Sequence, residues 1–151
     1  MNTQQLFAYW TKVRAGLLEA LDSLSEEQLD FVPREGLRSL KENVCHIAGT
    51  EEGWFRYGVT REINSWDEAE PNAADYPTKA ALKDMLARIH AKTETFFAQE
   101  PDALAEKNVV LAWGRETTVG WVLWHVIEHE IHHRGEVYLM LGLMGIEAPD
   151  V

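Results

Sequence analysis

The chain has 151 residues, 46% of them hydrophobic, with a formal net charge of -11 and a pI near 4.9. That size and apolar fraction suit a single domain over residues 1–151 with its own core. The acidity argues against nucleic acid, which is bound by clustered Lys and Arg, and against an anionic membrane surface.

No apolar run is long enough to span a bilayer, and the N-terminus lacks the basic region and apolar stretch of a signal peptide. One cysteine, Cys45, rules out an internal disulfide, so a reducing cytoplasm is the expected location.

Residues 3–24 read as a helix, since Leu6, Trp10, Val13, Leu17, Leu21 and Leu24 recur at spacings of three and four. Lys12, Arg14, Glu19 and Asp22 fall off that stripe, and Asn2 with Gln5 makes a capping-box pattern at its start. A short turn at Ser25–Gln28 and a loop at Pro33 and Gly36 follow. Ser39 with Glu42 is a second capping box, opening a helix over about 40–58. Leu40, Val44, Ile47, Glu51 and Phe55 lie along one side of it. His46 sits beside that stripe, where Gly49 and Gly53 leave room.

The polar stretch from Gly58 to Pro77 reads as a long crossover, with a helical turn capped by Ser65 and Glu68. Thr78 caps a third helix, about 79–99, which Pro101 is expected to stop. Leu82, Leu86, Ile89, Thr93 and Phe96 face inward on it. Residues 106–117 lose the helical period and predict a small hairpin turning at Gly114. The last helix runs from near Thr118 to about Leu143. The fold class is therefore all-α, a four-helix bundle with a long crossover between helices 2 and 3 and a hairpin before the last helix.

The last helix carries four of the six histidines: His125, His129, His132 and His133. Residues four apart share a helical face, so His125, His129 and His133 form one row, with Glu136 near its end. Two imidazoles at i and i+4 are half a site for a divalent first-row metal. Bundles build such sites across facing helices, and His46 is the one histidine on the second helix. Three histidine ligands leave a position open for water or a substrate thiol. His125 could be a fourth ligand, a partner of a ligand, a proton shuttle or a packing residue.

Glu130 and Glu51, with His125, are the candidates for an acid–base role, although a solvated or salt-bridged carboxylate is the default reading of either, and either could instead bond a ligand imidazole. Arg134 could pair with Glu130, Asp102 or an anionic substrate. Trp54, Trp113, Trp121, Trp124 and Tyr57 could wall a pocket for a small organic molecule or simply pack. Gly135 is expected to permit close helix packing, and Cys45 to behave as a small buried hydrophobe.

His129-Glu130-Ile131-His132-His133 also spells H-E-x-x-H, the zincin protease signature with Glu130 as base. Only 18 residues follow His133 in which to find a third ligand, and the helical frame offers no strands to line a protease cleft.

Ser39 through Glu52, with its lone His46, and His129-x-x-x-His133-Arg134-Gly135-Glu136 together resemble the DinB/YfiT-like proteins. These are four-helix bundles regarded as metal-dependent enzymes. The resemblance covers essentially the whole length. It implies an up-down-down-up helix order, frequent homodimers, and a metal, usually zinc or nickel, on His46, His129 and His133. Relatives include transferases and isomerases that use low-molecular-weight thiols.

Two functions follow as expectations. One is a metal-dependent thiol S-transferase or hydrolase acting on a small molecule. The other is a non-catalytic, dimeric metal-binding or stress-response protein.

Overall fold

A computed structural model of the protein describes residues 2–99 and 101–150. Among them run five helices: α1 (Thr3–Asp22), α2 (Leu40–Glu52), α3 (Lys79–Phe97), α4 (Pro101–Glu106) and α5 (Val119–Leu143). A two-stranded antiparallel ribbon, β1 (Asn108–Val110) and β2 (Glu116–Thr118), precedes α5, with Val109 opposite Thr117. α2 packs on α3 and α5, and α1 packs on α3 and α5. None of the described helices is long and apolar enough to cross a membrane.

The caps form where short polar side chains meet orphan backbone donors. Asn2 and Gln5 close a reciprocal capping box on α1, and Ser39 and Glu42 close one on α2. Thr78 and Thr118 each accept a backbone N–H at the starts of α3 and α5. Each such cap stabilises its helix by about 1 kcal/mol.

Several boundaries differ from expectation. α2 does not end near residue 58 as an α-helix; from Gly53 to Val59 it continues as a π-helix. The crossover turns where Ser65 and Glu68 predict it, with Ala69 N donating to the Trp66 carbonyl at 2.9 Å and Glu68 accepting from Asn64 N, but its helical turn, a 3-10 one, lies further on at Ala73–Asp75, capped by Asn72. Pro101 does not merely stop α3 but opens α4, because proline suits the first turn, where its missing N–H goes unused. On α3 the deeply buried ring is Phe97 rather than Phe96. The space beside Gly49 and Gly53 is not empty. A Cβ on Gly49 would sit 2.5 Å from Glu70 Oε2, and one on Gly53 would sit 3.0 Å from the Trp66 ring. The crossover therefore lies directly on α2.

The core has two apolar clusters. One gathers Leu17, Leu21, Leu40, Val44, Leu86 and Leu141; the other gathers Trp10, Val13, Phe55, Phe97, Leu123 and Val126. A buried polar cluster falls between them along each of the four long helices. Arg14, off the apolar stripe by sequence, is only 7% exposed. Its Nε donates to Glu130 Oε1 at 2.6 Å, and its Nη2 donates to Glu130 Oε2 at 2.8 Å and to Glu51 Oε2 at 3.0 Å. Trp10 Nε1 donates to Glu130 Oε2 at 2.5 Å, and His90 Nδ1 lies 3.0 Å from Glu51 Oε1. Burial pushes the Glu51 carboxyl up, but the His90 hydrogen bond and the charge of Arg14 outweigh it and hold the group below the usual carboxylate range.

Removing one member strands a buried charge. Arg14→Met is expected to lower stability by about 3–5 kcal/mol, read from the urea midpoint; an unchanged midpoint would mean that the cluster does not tie the helices together. The pH dependence has a definite sign. A carboxyl whose folded pKa is depressed contributes stability above its unfolded value, about 4.3, and loses it as pH falls toward the folded value. Acid unfolding below about pH 4.3 is therefore expected to be shallower in Glu51→Gln than in wild type, as measured by circular dichroism.

Candidate metal centre

Successive helical residues are rotated by about 100°, so Glu130 and His129 cannot face the same way. With Glu130 turned inward to Arg14, His129 and His133 face α2. There they meet His46, and the three histidines offer one ligand atom each, all within 4.8 Å of one another. Ring centroids lie 5.0 Å (His46–His129), 4.7 Å (His46–His133) and 4.3 Å (His129–His133) apart. His129 Nε2 and His133 Nε2 approach to 3.1 Å, close to the roughly 3.3 Å edge of a tetrahedron whose metal–nitrogen bonds are about 2.0–2.1 Å. Thr50 Oγ1 stands 3.4 Å from His129 Nε2.

Outer contacts set the tautomers. His133 Nδ1 lies 2.7 Å from Glu136 Oε2, which also accepts from Asn43 Nδ2 at 3.0 Å. Burial pushes Glu136 up, but these two hydrogen bonds outweigh it and keep the group below its usual range, hence ionised. A carboxylate there accepts the Nδ1 proton and leaves the Nε2 lone pair of His133 for a ligand role. The amide oxygen of Asn43 is buried and unpartnered among the described residues, so its orientation is set by Glu136. On the other helix, His46 Nδ1 lies 3.3 Å from Glu70 Oε1.

Burial, reinforced by the facing His133 and His46, pulls His129 down to about 3. Burial also lowers His133, against the opposing pull of Glu136. Neutral imidazoles are the form that binds metal. An all-nitrogen donor set suits zinc, nickel or copper rather than calcium or magnesium, which prefer oxygen.

The other candidates lie elsewhere. Glu51 and Glu130 are each 1% exposed, and both carboxylates are committed to Arg14. Neither is free as a base, and the H-E-x-x-H reading loses its general base with Glu130. His125 stacks on Trp121, with centroids 5.0 Å apart and planes 9° apart, and meets Trp54 edge-on at 4.7 Å. It is outside the three-histidine group. His132 is exposed and lies 3.3 Å from Glu136 Oε1. Arg134 pairs with neither Glu130 nor Asp102: it donates to the Val13 carbonyl and lies over the Tyr138 ring. Asp102 instead accepts from the Thr3 backbone at 2.9 Å. Cys45 is buried, and burial followed by the nearby Glu70 charge pushes its thiol up to about 12. Gly135 has nothing within 4 Å of a built Cβ, so the close packing expected there is absent among the described residues.

Trp54 gathers Trp66, Trp113 and Trp121 within 6.1 Å and Tyr57 packs on Trp113, whereas Trp124 points outward, 48% exposed. Sequence reasoning missed Glu70 and, although it placed Glu136 at the end of the histidine row, the orienting role Glu136 plays with Asn43. The second carried a signal, because Glu136 follows His133 by three residues on the same helix. Glu70 also lines an open groove of about 600 Å³ with Arg38, Lys41, Cys45 and Asn72.

The DinB family model matches residues 1–151, and the chain belongs to the DinB family. It is similar to the uncharacterized protein YizA of Bacillus subtilis (strain 168), at 24% identity over 135 residues, 88% of this chain and 82% of that protein. It is also similar to the uncharacterized protein YjoA of the same organism, at 24% identity over 151 residues, 95% of this chain and 92% of that one. The solved structure of a DinB-like protein from Bacillus cereus ATCC 10987 shares the fold with a TM-score of 0.75 at 18% identity, covering 99% of this chain and 97% of that one. The solved structure of YjoA gives 0.71 at 19% identity, covering 97% and 96%. At these identities the likeness establishes the fold.

If Glu136 orients His133, Glu136→Gln should weaken divalent-metal affinity by about 10–100-fold with all three imidazoles retained. Competition against a chromogenic chelator measures it, and unchanged affinity would remove Glu136 from the site.

Proposed function

We propose that the protein is a metal-dependent enzyme of an up-down-down-up four-helix-bundle frame, with zinc or nickel held by His46, His129 and His133. The convergence of three imidazoles from two helices, two of them backed by carboxylates, carries this reading. Such an ion, when bound, supplies a Lewis acid that ionises a coordinated thiol or water near neutral pH.

The chain's own residues supply the rest. Glu136 and Glu70 hold the outer imidazole nitrogens and fix ring orientation. The Trp54 cluster screens one flank, reaching the histidine row at His125. Each of the four carboxylates nearest the centre already has a partner: Glu51 and Glu130 pair with Arg14, and Glu136 and Glu70 hold the outer imidazole nitrogens. This favours a substrate that is itself acidified by the ion, and a thiol is the better match than water. S-transfer from a low-molecular-weight thiol to a small electrophile is therefore the first assignment, with the thiol class taken from the DinB/YfiT-like resemblance; hydrolysis is the second. The lone, buried Cys45 supports a cytoplasmic setting.

The test begins with elemental analysis of untagged protein purified without added metal, beside His129→Ala/His133→Ala. About one zinc or nickel per chain is expected in the wild type and none in the variant. A panel of low-molecular-weight thiols with model electrophiles follows. Turnover that is lost on chelation and restored by metal supports the enzyme. Stoichiometric metal with no thiol or hydrolytic turnover would instead favour a protein that only holds the ion.

A further inference from the structure

Glu136 has two oxygens in two different environments. Its Oε2 is turned inward, 2.7 Å from His133 Nδ1 and 3.0 Å from Asn43 Nδ2. Its Oε1 is turned outward, 3.3 Å from Nε2 of His132, a side chain 68% exposed. Two ligand atoms on one ion with bonds of about 2.0–2.2 Å stand roughly 3.0–3.4 Å apart. The His132–Glu136 pair already has that spacing, one helical turn apart on α5. His132, His133 and Glu136 moreover form a second group whose potential ligand atoms all lie within 4.8 Å.

We infer that His132 and Glu136 form an outer binding site for a second divalent first-row cation, coupled through the Glu136 carboxylate to the three-histidine centre. The donor pair, one imidazole and one carboxylate, suits zinc, cobalt, nickel or copper. Only two protein atoms bind without displacing another contact, and His132 is open to solvent, so water completes the shell and the site is weaker than the inner one. His133 Nδ1 is not a free third ligand while its proton is given to Glu136.

The coupling is electrostatic. Glu136 orients and polarises His133 with its negative charge, and a cation on Oε1 takes up part of that charge. Two dications linked through the Glu136 carboxylate and the His133 ring also repel. Filling the outer site therefore weakens the hold of His133 on the inner ion, and by linkage the inner ion weakens the outer one. The physical result is a centre that an excess of its own metal inhibits. The outer site stands on its own geometry; only the coupling rests on the reading of the inner site given above.

Cobalt(II) tests both, using metal-free full-length protein and visible absorption with equilibrium dialysis. Wild type is expected to take up one tightly bound ion and then a second, weaker one, with the inner absorption band shifting as the second binds. His132→Ala, a substitution at an exposed side chain, should keep the first ion, lose the second and abolish the shift. His132→Asp, which retains a ligand, should restore weak uptake. A second equivalent that persists in His132→Ala, or no second equivalent in wild type, would overturn the outer site. A His132-dependent second ion with no shift of the inner band would overturn the coupling. If no tight ion binds but the weak, His132-dependent one does, the three-histidine reading fails while the outer site stands.

Discussion

The buried pairing of Arg14 with Glu130 and Glu51 is the constraint on which the rest of this structure depends. Taking three charges out of water is costly, and the cost is offset only when every charge meets its partner at hydrogen-bonding distance. Here that requirement is met by side chains from α1, α2 and α5, with His90 of α3 closing the set. An apolar core tolerates a helix rotated or slid by a fraction of a turn, since hydrophobic contact has no direction. A bidentate guanidinium–carboxylate pair does not, because its geometry is a fixed fork. The pair therefore sets helix rotation where the two flanking apolar clusters alone would leave slack.

That rotation is what assembles the candidate metal centre. Glu130 sits next to His129 in sequence, and Glu51 sits next to Thr50 and five residues after His46. Pinning Glu130 toward Arg14 turns His129 and His133 toward α2; pinning Glu51 turns Thr50 and His46 toward α5. The carboxylates interleaved with the histidines thus act at a distance from any chemistry. They orient the helices, and the imidazoles on the adjacent faces converge as a consequence. The two carboxylates that do touch the histidines, Glu136 and Glu70, stand apart from that cluster, on the outer nitrogens.

Much of this was legible from residue order, and the boundary has a physical cause. Capping boxes, apolar periods and the His129–His133 pair depend on neighbours within four residues, and they are present where the pattern puts them, apart from the end of α3, where Phe97 takes the buried place read for Phe96. The meeting of His46 with that pair could be read because it is the one histidine on its helix. Arg14 was misplaced because amphipathic logic assigns any charge off the stripe to solvent, and its partners lie 37 and 116 residues away. Glu51, already on the apolar side of its helix by sequence, and Glu130 are ion-paired, as the plainer of their two readings had it, but their partner could not be named without placing Arg14. Glu70 was invisible for a different reason: the crossover has no period, so nothing local says which of its residues lands on α2. Gly49 was the available hint, read as spare room when it is the seat of Glu70.

Glu70 also changes how the centre meets its surroundings. Glu136 is on the same helix as the ligand it orients, so α5 holds their relation nearly rigid. Glu70 reaches His46 from a loop, at 3.3 Å rather than 2.7 Å, and at the same time walls the open groove beside Arg38 and Lys41. A loop contact is softer than one within a helix turn, since fewer backbone hydrogen bonds fix it. Of the two carboxylate-backed ligands, His46 is thus backed from a loop that also walls the groove, whereas His133 is backed from its own helix, with Asn43 of α2 on the same carboxylate. The centre is asymmetric by construction, with one backing carboxylate on a helix and the other on the crossover loop.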